Sequence, residues 1–182
     1  MASSSPRRKE LLKDIFQNFE TVSPKVEERF TYKRWGEIVK QLARLKAESV
    51  KDCYQGALII AADTIVVSRG KMLGKPKDEI EAIEMLKDLS GSIHSVYSGV
   101  CIIYKDRREN FYDKAQVTFR KLSKEDIQNY VASEMPLDKA GAYGIQETDF
   151  AKKVKGSYSC VVGLPLEMLK EKLKKIAEES NG

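Results

Sequence analysis

The sequence is poor in the residues that most nucleophilic enzymes use. Among 182 residues it has one histidine, His94, and three widely spaced cysteines, Cys53, Cys101 and Cys160. An odd number of cysteines with no C-x-x-C pair argues against a disulfide framework or a zinc site. A single histidine also makes a Ser-His-Asp or Cys-His mechanism an unfavourable hypothesis. Any catalysis is therefore expected to depend on carboxylates, lysines, arginines and a hard metal ion.

Long hydrophobic segments are absent as well. No apolar run approaches the roughly 20 residues that a membrane-spanning helix needs, and the longest, 57–62, is interrupted by Asp63. The N-terminal residues contain no apolar signal segment. We therefore expect a soluble, cytoplasmic protein without a membrane partner.

The charge balance is slightly basic, with a net charge of +5 and a pI near 9.0. Such a balance permits anionic partners, from nucleotides to nucleic acids. However, the basic residues are interspersed with acidic ones, as in 124–126, and the chain has no RNA-binding aromatic signature. A nucleic-acid-binding protein is thus the weaker alternative.

Hydrophobic periodicity predicts helices and strands mixed along the whole chain, which is typical of an α/β protein with an antiparallel part. Capping patterns and apolar stripes predict five helices, and β-branched runs predict four strands. The predicted helices cover 6–19, 31–50, 79–91, 123–133 and 165–177. The predicted strands cover 57–68, 93–104, 109–120 and 152–162, and 135–146 is expected to be a loop or a short helix.

The segment 3–8, Ser-Ser-Ser-Pro-Arg-Arg, stands at the start of the first predicted helix. Free N–H groups, hydroxyls and guanidinium groups together can bind a phosphate. An ordinary Ser-Pro cap followed by solvated arginines is the alternative, and such caps are common.

Asp63 is the second feature, because it interrupts a hydrophobic strand. A buried carboxylate is costly unless it is paired, hydrogen-bonded or metal-bound. This favours a Mg²⁺ ligand or a base that activates water, and a structural salt bridge is the alternative. Pro76 fixes the backbone after Lys75, so Lys75 is a candidate to neutralise a phosphate, and a solvated turn lysine is the alternative. Lys46 by itself resembles an ordinary surface lysine.

A third feature is the segment 138–146, in which two glycines flank Tyr143 and the run ends in Gln146. Gln146 can donate and accept hydrogen bonds at once, which suits the imide edge of a pyrimidine. The alternative is a glycine-containing turn that packs Tyr143 into the core.

Taken in order, these motifs resemble the Maf family of nucleoside triphosphate pyrophosphatases. The resemblance covers nearly the whole chain. The motifs that carry it are SSSPRRKELL at 3–12, VEE at 26–28, AADTIVV at 61–67, LGKPKD at 73–78, PLDKAGAYGIQ at 136–146 and GSYSCVVGLPLEML at 156–169.

The resemblance implies a fold and a reaction. The fold would be one Maf-like domain over 1–182, of the inosine-triphosphate-pyrophosphatase type, with a mixed sheet flanked by helices and a cleft between two lobes. The reaction would convert a nucleoside triphosphate to the monophosphate and pyrophosphate. It would require a divalent cation, Mg²⁺ first, with Mn²⁺ and Co²⁺ as alternatives. A homodimer is also implied.

The resemblance further assigns residues by matching positions. Asp63 would be the catalytic acid–base group and a metal ligand, with Glu28 as the second metal ligand. The triphosphate would be held by Ser3, Ser5, Arg7, Arg8, Lys46 and Lys75. Substrate choice would depend on Arg7, Thr64 and Gln146.

The residues at 138–146 resemble those of the family branch that acts on dTTP, UTP and modified pyrimidine nucleotides. The alternatives are the sister branch that favours 7-methyl-GTP and a regulatory protein linked to division arrest. Family members normally begin with a short apolar strand before the serine-rich turn, and this strand is expected to be missing before Ser3. The Ser3–Arg8 segment is therefore expected to lack one anchor.

Overall fold

The computed structural model describes residues 1–27, 31–133 and 136–180. Its helices are α1 (Pro6–Leu12), α2 (Trp35–Lys51), α3 (Glu79–Leu89), α4 (Lys124–Ser133), α5 (Tyr158–Val162) and α6 (Leu166–Ser180). The strands are β1 (Ile59–Ser68), β2 (Lys71–Leu73), β3 (Ile93–Tyr104), β4 (Arg107–Phe119) and β5 (Ala151–Lys155). Two 3₁₀ turns, Pro136–Asp138 and Ala140–Ala142, precede β5.

The strands form one five-stranded sheet in the order β2-β1-β3-β4-β5, and all of these pairings are antiparallel. A parallel component comes from Ala2, which bridges Val22 on one side and Ala61 on the other. The α/β class and the mixed sheet flanked by helices are thus confirmed.

Strand β1, next to the short edge strand β2, is hydrophobic on both faces because both faces are covered. Its face with Ile59, Ala61 and Ile65 packs against α2. The opposite face packs at one end with α6 residues, and at the other end with residues of α3 and α4. Side chains that point to either face of β1 therefore meet protein rather than solvent.

Several sequence predictions were right because they depend on local chemistry. Ser5 caps α1, with Pro6 at its first position, and the Asp78 carboxylate accepts from the Glu81 N–H at the start of α3. Before α4 the capping is reciprocal: the Ser123 N–H donates to Asp126 Oδ2, and the Asp126 N–H donates to Ser123 Oγ.

Three predicted boundaries were wrong. The first helix ends at Leu12, although Ile15, Phe16 and Phe19 still pack on the core. The second begins at Trp35 rather than at residue 31. The predicted strand 152–162 divides into β5 and α5, because the Ser157 side chain accepts from the Cys160 N–H and starts a helix.

The segment before Ser3 is anchored without an extended strand. The Ala2 N–H donates to the Ile60 carbonyl at 2.8 Å, and the Val22 N–H donates to the Met1 carbonyl at 3.0 Å. Ala2 is 1% exposed. These bonds hold the Ser3–Arg8 segment beside β1, which the sequence did not predict.

Within the described ranges, no helix is both long enough and apolar enough to cross a bilayer. The thiols offer no ready nucleophile at the buried positions, because burial raises the pKa of Cys101 and of Cys160 to about 12.

Candidate functional site

The candidate site is a cavity of about 660 Å³ at the outer edge of β1. Ala2 covers this edge at Ala61, and β2 covers it at Val66–Ser68. Between them, as far as the structure describes the chain, residues 62–65 have no strand pairing on this edge. Successive side chains of a strand point to opposite faces. Asp63 and Thr64 nevertheless line one cavity, because the open edge is accessible from both faces of the strand.

Asp63 lies on the α2 side of this edge and is 7% exposed. Its Oδ1 atom forms an ion pair with the ammonium group of Lys46 on α2. The helix can lie this close because Gly99, the β3 partner of Asp63, has no Cβ. A Cβ at this position would overlap the backbone of Val39 on α2. Asp63 therefore forms the structural ion pair of the alternative interpretation, and it also faces the cavity, as a metal ligand or a base would have to.

Thr64 lies on the other side of the edge, where Arg8 holds it. The Arg8 guanidinium donates to Thr64 Oγ1 at 2.8 Å, to the Gly163 carbonyl at 2.8 Å and to Ser3 Oγ at 3.3 Å. Gly163 has a φ of 123°, and a Cβ there would approach both Arg8 and Thr64. A glycine at this position leaves room for the guanidinium to join α1, β1 and the end of α5.

Ser3 and Ser5 shape the segment that precedes α1. Ser3 Oγ accepts from the Ser5 N–H at 3.2 Å, and Ser5 Oγ accepts from the Arg8 N–H at 3.5 Å. The helix-cap interpretation is thus confirmed for Ser5. Both serines also line the cavity, as the phosphate interpretation requires.

Arg7 reaches across the cavity to the loop after α4. Its guanidinium donates to Asp138 Oδ2 at 3.2 Å and to the Asp138 carbonyl at 3.5 Å. Burial opposes ionisation of Asp138, but the hydrogen bond from Lys139 and the charge of Arg7 outweigh it and lower the pKa of this carboxyl. Arg7 is thus held next to a carboxylate while it lines the cavity.

Lys75 and Gln146 form the rim on the side of β2. Both are exposed and both line the cavity. The Gly141 N–H donates to the Gly74 carbonyl at 3.0 Å, which ties the loop that leads to Gln146 to the turn that carries Lys75.

Behind this loop, Tyr143 is packed into the core with 6% exposure, as the alternative interpretation of the segment predicted. Its hydroxyl forms a 2.8 Å hydrogen bond with Nε2 of His94, which is 2% exposed. Burial lowers the pKa of His94 to about 4 and raises that of Tyr143. The only histidine therefore supports the wall of the site as a neutral group.

The model of a family described as Maf-like protein matches residues 1–176 of the chain. The chain belongs to the Maf family.

Curated relatives of the chain extend over nearly its full length. A dTTP/UTP pyrophosphatase of Bacillus cereus (strain AH187) is 46% identical over 177 residues, which are 96% of this chain and 93% of the relative. Proteins of the same name from Bacillus thuringiensis subsp. konkukian (strain 97-27) and Bacillus cytotoxicus are 47% and 45% identical, with the same coverage.

In this Maf chain the cavity gathers nine of the ten residues predicted for the site. These are Ser3, Ser5, Arg7, Arg8, Lys46, Asp63, Thr64, Lys75 and Gln146. The tenth, Glu28, lies outside the described residues. Their assigned roles stay predictions. Arg8 already donates three hydrogen bonds to protein groups.

Sequence reasoning missed Asp138 and Lys139 as individual site residues. Both line the cavity, and Lys139 is 5% exposed. The segment 138–146 attracted attention only through its glycines and Gln146. Nothing local distinguishes Lys139 from a solvated lysine, since its burial depends on partners far away in the sequence.

The donor groups fit a hard divalent cation that is shared with a substrate. In the described part of the chain, no three His, Cys, Asp or Glu side chains come together as a metal site. Mg²⁺, however, is commonly held by one or two carboxylates together with substrate phosphates and waters. The buried carboxylate of Asp63 at a cavity rich in cations is consistent with this mode of binding.

Proposed function

We propose that this protein is a nucleoside triphosphate pyrophosphatase that acts on dTTP, UTP and modified pyrimidine nucleotides. The observation that carries the proposal is the convergence of a buried Asp63 with cationic side chains and Gln146 in one cavity. The dTTP/UTP pyrophosphatases that are about half identical to the chain support the choice of substrate.

The proposed reaction is attack of water at the α-phosphorus. A new bond forms between the water oxygen and phosphorus, the bond to the α–β bridging oxygen breaks, and pyrophosphate leaves. Asp63 accepts the proton that the water loses. Lys46, which already lies against Asp63, holds this carboxylate in place in the free enzyme.

The remaining side chains bind and orient the nucleotide. Arg7 and Lys75 neutralise the triphosphate, and the serines of 3–5 donate hydroxyl hydrogen bonds to it. Arg8 acts mainly on Thr64 and Ser3, which it holds by direct hydrogen bonds. Gln146 pairs with the imide edge of the base, which presents one donor between two acceptors.

A divalent cation completes the proposed site, with Asp63 and Glu28 as its protein ligands. When bound, it would withdraw charge from the phosphate oxygens and orient them. Mg²⁺ is the first choice, and Mn²⁺ and Co²⁺ are alternatives. The cytoplasmic location, expected from the lack of apolar segments, and the homodimer, implied by the family resemblance, stay predictions.

The test is a pyrophosphate-release assay over the common nucleoside triphosphates, dTTP, 7-methyl-GTP and modified pyrimidine nucleotides, each with Mg²⁺, Mn²⁺ or Co²⁺. We expect the highest kcat/KM for UTP and dTTP, and no turnover when a chelator removes the divalent cation. Preference for 7-methyl-GTP would assign the sister branch instead. Salt-dependent DNA binding without pyrophosphate release from any nucleotide would overturn the enzymatic proposal.

A further inference from the structure

Lys139 is a buried charge in the wall of the site. The side chain is 5% exposed, and its ammonium lies 2.9 Å from Asp138 Oδ1 and 3.2 Å from Glu147 Oε2. Burying an ammonium group costs free energy unless hydrogen-bonded carboxylates compensate for its charge. These two carboxylates stand at opposite ends of the loop that carries Gln146, so Lys139 connects the two ends.

At one end of the connection, Glu147 fixes the backbone around Gln146. Glu147 Oε2 also accepts a hydrogen bond of 3.1 Å from the Tyr130 hydroxyl, which in turn accepts the Gly144 N–H at 3.0 Å. A Cβ at Gly144 would overlap the Glu147 carboxylate. The residue directly after Gln146 is therefore tied to α4 and to the residue two positions before Gln146.

At the other end, Asp138 holds Arg7. The same carboxylate accepts from Lys139 through Oδ1 and from Arg7 through Oδ2. Arg7 and Asp138 are 131 residues apart in the chain. The ionic connection thus runs from α1, on the proposed phosphate side, through Lys139 to the segment that carries the proposed base-binding amide.

We propose that Lys139 is a positioning residue that sets nucleobase selectivity by fixing the Gln146 segment relative to Arg7. This inference rests on the proposed function of the same site. Lys139 acts through Asp138 and Glu147, whereas Asp63 and Lys46 stand on β1 and α2. Loss of the Lys139 ammonium should therefore move the base-binding segment and leave the hydrolytic groups in place.

The first test is Lys139→Met, which retains most of the side-chain volume and removes the charge. We expect KM for UTP to rise about tenfold, the scale of one lost charge-assisted hydrogen bond. We expect kcat to change much less, and the preference for UTP over CTP or GTP to fall by a similar factor. An equal loss of kcat/KM for all nucleotides, or no change in selectivity, would overturn the proposal.

Lys139→Met leaves Asp138 and Glu147 without their shared cation, so it is paired with a milder variant. Glu147→Gln keeps the shape and the contact with Tyr130 but removes the charge. We expect it to lower selectivity in the same direction. In the double variant the two effects should be less than additive, because both changes break one ion pair. Full additivity would contradict a shared mechanism.

The matched control is Arg120→Met. Arg120 also bridges two carboxylates, Asp126 at 2.8 Å and Asp149 at 2.8 Å, but it does not line the cavity. We expect its loss to lower the melting temperature without a change in selectivity. A selectivity loss equal to that of Lys139→Met would mean that general destabilisation is the cause.

The outcomes also separate the two proposals. If the wild-type protein releases no pyrophosphate from any pyrimidine triphosphate, the proposed function fails. If it does so and Lys139→Met keeps the same selectivity, only the role of Lys139 fails. Calorimetric binding of a UTP analogue with a non-hydrolysable α–β linkage gives the same comparison without turnover, and we expect weaker binding in the variant.

Discussion

Among the described residues, three lysines line the cavity, and two of them, Lys46 and Lys139, pair with carboxylates in different ways. Lys46 joins Asp63 between a helix and a strand, and both side chains are largely buried, at 13% and 10% exposure. Lys139 joins Asp138 and Glu147 within one loop, and these carboxylates are more exposed, at 44% and 26%. One pair is held by regular elements and the other holds an irregular segment.

The difference separates proposed chemistry from proposed recognition. Groups on helices and strands of a packed core are positioned more rigidly than groups on loops, which suits a base that must meet a water molecule. Loops vary more readily and commonly carry recognition. We infer that changes at Asp63 affect turnover of every nucleotide, whereas changes around Lys139 and Gln146 affect which nucleotide is chosen.

The largest effect is expected at the rigid pair. Asp63→Asn removes the proposed proton acceptor, so kcat for UTP and dTTP should fall by about a thousandfold, the usual scale of general base catalysis. The variant should remain folded, because an amide of the same shape replaces the carboxylate. Circular dichroism and pyrophosphate release measure the two properties.

The control for that change is Asp88→Asn, which removes a surface carboxylate paired with Arg69 outside the cavity. Its activity should equal that of the wild type. Near-normal turnover by Asp63→Asn would remove this carboxylate from the mechanism. It would also contradict the assignment of catalysis to the Lys46 pair and of recognition to the Lys139 pair.

The second effect concerns the anchoring of the loop wall through His94 and Tyr143. The pKa of His94 is about 4 in the folded chain because of burial, below the usual value in the unfolded chain. The unfolded chain therefore binds the proton more readily, and stability decreases as pH falls from 6.5 toward 4. Between pH 7.5 and pH 5 this contributes a loss of about 2 kcal/mol in the free energy of unfolding.

The check is urea unfolding of the wild type and of His94→Gln at both pH values. The variant lacks the titrating imidazole, so it should lose less stability on acidification. The difference between the two proteins isolates His94 from the carboxyl groups that titrate at lower pH. Parallel losses in both proteins would show that burial of this imidazole does not govern the acid response.

The smallest of the three effects is expected at Gln146. Gln146→Ala should lower kcat/KM for UTP and dTTP by about tenfold through the loss of hydrogen bonds to the base. Stability should hardly change, because the side chain is exposed. Steady-state kinetics over pyrimidine and purine nucleotides checks this. Unchanged selectivity would assign base recognition to other residues.

The sequence predicted those features that depend on near neighbours. The caps at Ser5 and Asp78 were readable because donor and acceptor lie within one helical turn. The helix α5 was not, because the strand preference of Tyr158, Val161 and Val162 masks the local Ser157 cap, and the tertiary setting decides between the two. The early end of α1 has the same origin, because Phe16 and Phe19 reach the core without helical backbone.

The candidate site divides along the same line. Asp63 was predictable because a carboxylate within a buried strand requires a partner. The identity of that partner, Lys46, depends on how α2 crosses the sheet. The network of Lys139, Asp138 and Arg7 was not predictable from spacing, since it joins residues 131 positions apart. The family resemblance identified the chemistry more readily than the geometry that supports it.

The most direct test of the central claim is to hydrolyse UTP in water labelled with heavy oxygen and to locate the label by mass spectrometry. Attack of water at the α-phosphorus predicts one labelled oxygen in UMP and none in the released pyrophosphate. The label in pyrophosphate, or release of orthophosphate and UDP in place of UMP, would contradict the account.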